Sequence, residues 1–201
     1  MEAVAIVDSG GANIASLRHA FERLGVAARL TCDPLEIRAA PRVILPGVGA
    51  AGDAMRRLAT LGLAEILPTL TQPVLGICLG MQLLYEASAE DDARCLGIVP
   101  GRVEQLVSAP GRPVPHMGWN RLRMSGGSEL LAGIADGEHV YFVHSFAAAP
   151  GPAVLATCDY GTEFAAVIQR GNFYGTQFHP ERSAGAGRRL LANFLALPAW
   201  S

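Results

Sequence analysis

Gly76-Ile77-Cys78-Leu79-Gly80-Met81-Gln82 is the stretch on which the reading of this chain turns. The apolar run Pro73-Val74-Leu75-Gly76-Ile77 has the character of a buried strand, and Leu79 to Ala87 reads as a helix, so Cys78 falls at the turn between them. Glycines two residues before and two after the cysteine relieve crowding in a tight strand-to-helix turn. This is the elbow logic of G-x-S-x-G hydrolases, with sulfur in place of oxygen. Such a turn would aim a helix N-terminus at the sulfur and favour thiolate over thiol. A buried structural cysteine beside glycines needed for packing would be written with the same letters, so the rest of the chain has to decide.

Upstream, Ala3 to Val7 has a buried-strand pattern and runs into the turn-rich loop Asp8 to Asn13, after which Ile14, Leu17, Phe21 and Leu24 recur at helical spacing. Val26 to Thr31 and Arg42 to Leu45 are further strand candidates, the latter ending in Pro46-Gly47-Val48-Gly49. Gly52 to Leu70 reads as two short helices, interrupted at Gly62 and Pro68. Strands alternating with helices imply a parallel sheet covered on both faces, with ligands bound beyond the carboxyl ends of its strands. The Asp8 loop, Pro46 to Gly49 and the Cys78 elbow all fall at such ends. Downstream, 101–107, 114–124, 138–143, 153–157, 164–169 and 173–178 are short strand-like runs between Gly, Pro and Ser, and Ala186 to Leu197 closes the chain as a helix. Residues 1–201 are therefore expected to form a single three-layer α/β domain. Its central sheet would be mostly parallel with helices on both faces, and its second half more antiparallel and β-rich.

A chain of 201 residues that is 50% hydrophobic can bury a large core. Its 16 basic residues, all Arg, nearly balance 18 acidic ones, and no basic run gives a footprint for nucleic acid or an anionic membrane. Cys32, Cys78, Cys95 and Cys158 are scattered, without C-x-x-C spacing, which favours a reducing compartment. No segment has the length of a membrane span, and the N-terminal apolar run is too short for a signal peptide. A cytoplasmic protein is expected, with no metal and no cofactor, because no ligand spacing is present.

Five histidines could partner the cysteine. His19 lies inside the first expected helix and His139 beside acidic residues in an expected turn, so both read as surface positions. His144 reads as a satisfied core histidine or as the less favoured base, since no carboxylate follows it at suitable spacing. His179 ends a strand-like run and is followed by Pro180 and Glu181. Proline biases His179 toward an extended conformation, in which residues i and i+2 point the same way. Glu181 can then accept from one ring nitrogen while the other takes the proton of Cys78. A salt-bridging surface pair is the bland alternative for His179 and Glu181 alone.

With Gly76-x-Cys78-Leu79-Gly80-x-Gln82 and Gln177-Phe178-His179-Pro180-Glu181 together, the chain resembles the class I, triad-type glutamine amidotransferases. Pro46-Gly47-Val48-Gly49, Pro115-His116-Met117-Gly118-Trp119-Asn120 and Tyr141-Phe142-Val143-His144-Ser145 resemble, within that family, the glutaminase subunits of imidazole glycerol phosphate synthase. Two positions depart from the family pattern: Ala12 stands where Gly is usual, and Phe146 where Tyr is frequent. The resemblance implies that Cys78, His179 and Glu181 hydrolyse glutamine through a thioester, and that Gln82, Ser145 and Phe146 hold the substrate. Backbone N–H of Leu79 and of the Gly47, Val48, Gly49 loop would form the oxyanion hole. It implies a (β/α)8-barrel cyclase as partner in a heterodimer, receiving ammonia for histidine biosynthesis, with Asn13, Met117 and Trp119 as the candidate docking face. A core position for Trp119 fits composition equally well. It also implies a glutaminase that idles until its partner binds its own substrate, for which a peptide flip at Gly47–Val48 is the physical form. An amidotransferase subunit of another synthase such as anthranilate synthase, a stand-alone cysteine hydrolase and a redox-sensing module stay open at this level.

Overall fold

A computed structural model describes residues 4–9 and 14–198. In chain order the strands are β1 (Val4–Val7), β2 (Ala28–Thr31), β3 (Arg42–Leu45), β4 (Val74–Ile77), β5 (Tyr85–Ser88), β6 (Ala93–Arg94), β7 (Val99–Gln105), β8 (His116–Arg121), β9 (Arg123–Met124), β10 (His139–His144), β11 (Phe146–Ala148), β12 (Val154–Asp159), β13 (Glu163–Arg170) and β14 (Phe173–Thr176). The helices are α1 (Ile14–Glu22), α2 (Pro34–Ala39), α3 (Ala51–Thr60), α4 (Leu63–Ile66), α5 (Leu79–Gln82) and α6 (Ala184–Ala196).

Eight strands form one sheet in the order β2-β1-β3-β4-β14-β13-β12-β9. Its first half, up to the β4–β14 pair, is parallel, and from β14 onward the pairs are antiparallel. The change of direction follows connection length. Short turns join β12 to β13 and β13 to β14, whereas a parallel return needs a long crossover. Alternation along the strands sorts the side chains into two cores. Val4, Ile6, Ile44, Leu75 and Ile77 pack with Leu17 and Phe21 of α1 and Leu190, Leu191 and Phe194 of α6. Ala5, Val7, Val43, Leu45 and Val74 pack on the opposite face with Ile37 of α2, Leu58 of α3 and Leu63 of α4. A sheet buried on both faces explains why its parallel strands read as unbroken apolar runs.

Two small sheets flank the main one, β10-β8 and β11-β7-β5-β6. They carry the main correction to the sequence reading. The helix expected from Leu79 to Ala87 stops after one turn at Gln82, and Tyr85–Ser88 is strand β5, paired with β7 and β6. The helical spacing of its apolar residues is overruled by pairing with a strand more than ten residues on. His139 likewise opens β10 and accepts from Arg121 Nε at 3.3 Å, rather than lying in a turn. Among the described residues no helix is long and apolar enough to cross a membrane.

Candidate active site

Cys78 leaves β4 with φ 54° and ψ −112°, a conformation that a residue with a Cβ adopts only when its surroundings enforce it. Its N–H donates to the Thr176 carbonyl of β14 at 2.7 Å, and its carbonyl accepts from Gln82 N–H at 3.2 Å. Close approach makes both flanking glycines necessary. A Cβ on Gly80 would lie 1.7 Å from the Leu45 carbonyl oxygen, and one on Gly76 would lie 2.6 Å from the Gly80 oxygen. The elbow is thus wedged between β3 and its own first helical turn.

Parallel pairing of β4 with β14, Ile77 opposite Thr176, puts the segments leaving the two strands side by side. That register delivers His179 to Cys78. The His179 backbone is extended, and Glu181 lies in the 3-10 turn Pro180–Arg182 that follows, so the pair meets across the start of a turn rather than along an extended chain. His179 Nδ1 is 2.9 Å from Glu181 Oε1, and both side chains are buried. The same imidazole feels the Cys78 sulfur, although its Nε2 is buried without a hydrogen bond of ordinary geometry. Ser183 clamps this segment: its hydroxyl donates to the His179 carbonyl at 2.7 Å and accepts from Tyr141 N–H at 3.0 Å, while His179 N–H donates to the Tyr141 carbonyl. Burial by itself would lower the His179 pKa. The influence of Cys78, and then of the hydrogen-bonded Glu181 carboxylate, outweighs it and lifts the imidazole to about 10. A proton is therefore held beside the sulfur at neutral pH.

These groups open on a cavity of about 350 Å³, at the small end of the range for small-molecule sites. Val48 and Gly49 line it with Leu79, whereas Gly47 is packed against the elbow, its Cβ position 2.9 Å from Gly80 N and Leu79 Cβ. Gln82, Ser145 and Phe146 line it too, as does His144. His144 is the satisfied core histidine expected, because its Nδ1 lies 2.8 Å from the Phe146 carbonyl and its Nε2 3.0 Å from His116 Nδ1. The exposed candidates are on β8: Met117 is 63% and Trp119 53% exposed. Trp119 is therefore not a core aromatic. Its ring stands edge-on to Tyr141, over which the Arg182 guanidinium sits 4.1 Å away. Asn13 and Ala12 lie outside the described residues.

Three contributors were not singled out from sequence. Gln177 Nε2 lies 3.8 Å from Cys78 Sγ, and strand parity with His179 was the available signal. Glu90 brings a carboxylate to the cavity, with Oε2 accepting from Ala51 N–H at 2.9 Å. Burial raises its pKa against the lowering effect of that bond. Ser183 carried no signal beyond being two residues past Glu181.

The family description "Glutamine amidotransferase class-I" matches residues 5–197. The chain belongs to that family. Among its relatives, the imidazole glycerol phosphate synthase subunit HisH of Xylella fastidiosa is 54% identical over 199 residues, 99% of this chain and 100% of that one. The HisH subunit of Xanthomonas euvesicatoria is 53% identical over 197 residues, 98% of each chain. A crystal structure of a glutamine amidotransferase from Thermotoga maritima superposes with a TM-score of 0.67 at 18% identity, covering 96% of this chain and 82% of that one. Another, described simply as a glutamine amidotransferase, reaches a TM-score of 0.74 at 21% identity and covers 96% of this chain and 97% of its own. At those identities the likeness is one of fold. For a class-I amidotransferase, a small cavity that joins a strained cysteine to a buried histidine and carboxylate is the place to look for glutamine chemistry.

Proposed function

We propose that this chain, as one domain over 1–201, is the glutaminase subunit of an imidazole glycerol phosphate synthase, with Cys78, His179 and Glu181 as its catalytic groups. The observation that carries the reading is their convergence at one cavity, in a chain more than half identical, end to end, to a HisH subunit. The Cys78 sulfur attacks the side-chain amide carbon of glutamine while His179 holds the proton. His179 then gives that proton to the departing nitrogen, ammonia leaves, and water opens the glutamyl thioester, its oxygen going to glutamate and a proton returning to the Cys78–His179 pair. Glu181 holds the imidazole by Nδ1 and stabilises its charged form. Leu79 N–H and the Val48–Gly49 backbone serve the oxyanion, with Gly47 as the packed hinge behind them. Gln82, Ser145 and Phe146 hold the substrate, and Glu90 is the acidic group suited to its α-ammonium.

Ammonia made here needs an acceptor. The reading therefore includes a partner cyclase of (β/α)8-barrel form in a cytoplasmic heterodimer, docked over the Met117 and Trp119 face. Glutamine hydrolysis by the chain alone, with the cyclase, and with cyclase plus its nucleotide substrate tests this. Turnover that rises steeply only in the third mixture supports both the partner and its coupling to the site. Equal turnover in all three moves the assignment to an independent hydrolase or another synthase.

A further inference from the structure

We propose that His144 and His116 are positioning residues for glutamine hydrolysis, two neutral imidazoles locked in single tautomers that pin the Phe146 carbonyl and, through it, set which way round the Gln82 amide faces the substrate. The inference rests on the reading of the cavity as a glutamine site.

The Phe146 carbonyl oxygen can only accept, and two side-chain nitrogens meet it, each at 2.8 Å: Gln82 Nε2 and His144 Nδ1. His144 must therefore carry its proton on Nδ1. Its Nε2 then offers only a lone pair, so His116, whose Nδ1 is 3.0 Å away, must donate from Nδ1. That leaves His116 Nε2 as an acceptor, and it faces Asn120 Nδ2 at 3.4 Å. The orientation of Asn120 is set independently by the backbone. Its Nδ2 donates to the Asp159 carbonyl at 3.0 Å, and its Oδ1 accepts from Arg121 N–H at 2.8 Å. The polarity deduced from the Phe146 end and the polarity deduced from the Asp159 end agree at every link.

On the cavity side the same logic continues. With one amide hydrogen on the Phe146 carbonyl, Gln82 Nε2 places the other on Gln177 Oε1 at 3.0 Å, and Gln177 thereby turns its own Nε2 toward Cys78 Sγ. Both hydrogens of Gln82 are used, so oxygen is the atom it offers a ligand. Burial supports neutrality of both rings. It pushes His116 down to about 4 and His144 to about 3, the bond from His144 to Phe146 opposing and the nearby His116 and His179 reinforcing the shift. Protonating either ring would place a donor against a donor and break the line.

The test is steady-state glutamine hydrolysis by the chain in complex with its synthase partner, comparing His144→Leu with His144→Asn. Asparagine keeps an N–H where Nδ1 stood, and leucine does not. Loss of one hydrogen bond that positions substrate is expected to raise KM about tenfold in His144→Leu with kcat within threefold, and His144→Asn should recover most of that loss. Unchanged KM in His144→Leu, equal impairment in both variants, or a parallel fall in kcat would each overturn the proposal. Should His144→Leu fail to fold, His116→Asn and His116→Leu repeat the comparison, since only the first keeps an N–H toward His144. Equal KM in that pair overturns the proposal as well. Cys78→Ser in the same assay keeps the two readings apart. If it turns over glutamine like the parent, Cys78 is not the nucleophile and the reading of this cavity as the glutamine site has failed. If it is inactive and the histidine comparison is flat, only the relay has.

Discussion

Two buried imidazoles line one cavity and are driven in opposite directions. His179 and His144 are 6% exposed each, so burial acts against the charged form of both. His179 is nevertheless lifted to about 10, whereas His144 falls to about 3. The partners make the difference. His179 stands between the Cys78 sulfur and the Glu181 carboxylate, while His144 stands between a neutral carbonyl and a second imidazole. Depth in the protein does not assign an imidazole its role. The charge on what it touches does, and here one ring is equipped to carry a proton and the other to refuse one.

Removing the partners of His179 is the strongest way to break the contrast. Cys78→Ala takes away its largest upward influence, so glutamine turnover should fall by about 10⁴ or more and the NMR titration midpoint of His179 should drop. A midpoint that stays at about 10 in this variant would show that the sulfur does not hold the proton. Glu181→Gln should act in the same direction but less, lowering turnover by about a hundredfold and the His179 midpoint by a smaller step than Cys78→Ala. If turnover were untouched, the carboxylate would be structural.

The smallest effect concerns stability against pH, and it sharpens the comparison because the two rings act on opposite arms. The folded pKa of His144 lies below the ordinary value of 6.5, so between about 6.5 and about 3 the unfolded chain takes up a proton that the folded chain refuses, and stability is lost as pH falls. His116 acts in the same sense. The folded pKa of His179 lies above 6.5, so its contribution is full below that pH and is lost as pH rises through about 10. Urea denaturation near pH 5 should therefore show a slope shallower in His144→Asn than in the parent by about one proton, or about 1.4 kcal/mol per pH unit. An identical slope would mean that His144 is protonated in the folded protein.

Much of the site was legible because its constraints are local. The elbow is written in Gly76 and Gly80, whose missing side chains are sterically required within a few residues of Cys78 and against the neighbouring strand. The His179–Glu181 pair follows from spacing, although a turn rather than extended chain brings it together. The end of α5 was not legible, because Tyr85–Ser88 is held by pairing with β7 and β6. Glu90 was hidden by the same misreading, since a continuous helix to Ala87 would have aimed it elsewhere. Ser183 matters only because β10 passes beside it.

What the sequence determined by itself, then, was chemical identity and local shape: a cysteine forced into an elbow, a histidine with a carboxylate two residues on, and alternating elements that build a covered sheet. Protonation was decided only by the tertiary structure. Residues 82, 116, 120, 144, 146 and 177 become one hydrogen-bonded line only when α5, β8, β10, β11 and the segment leaving β14 come together, and the state of each ring depends on which distant carbonyl, sulfur or imidazole arrives beside it. The fold sets those neighbours, and in a site screened from water they outweigh the intrinsic preference of the side chain.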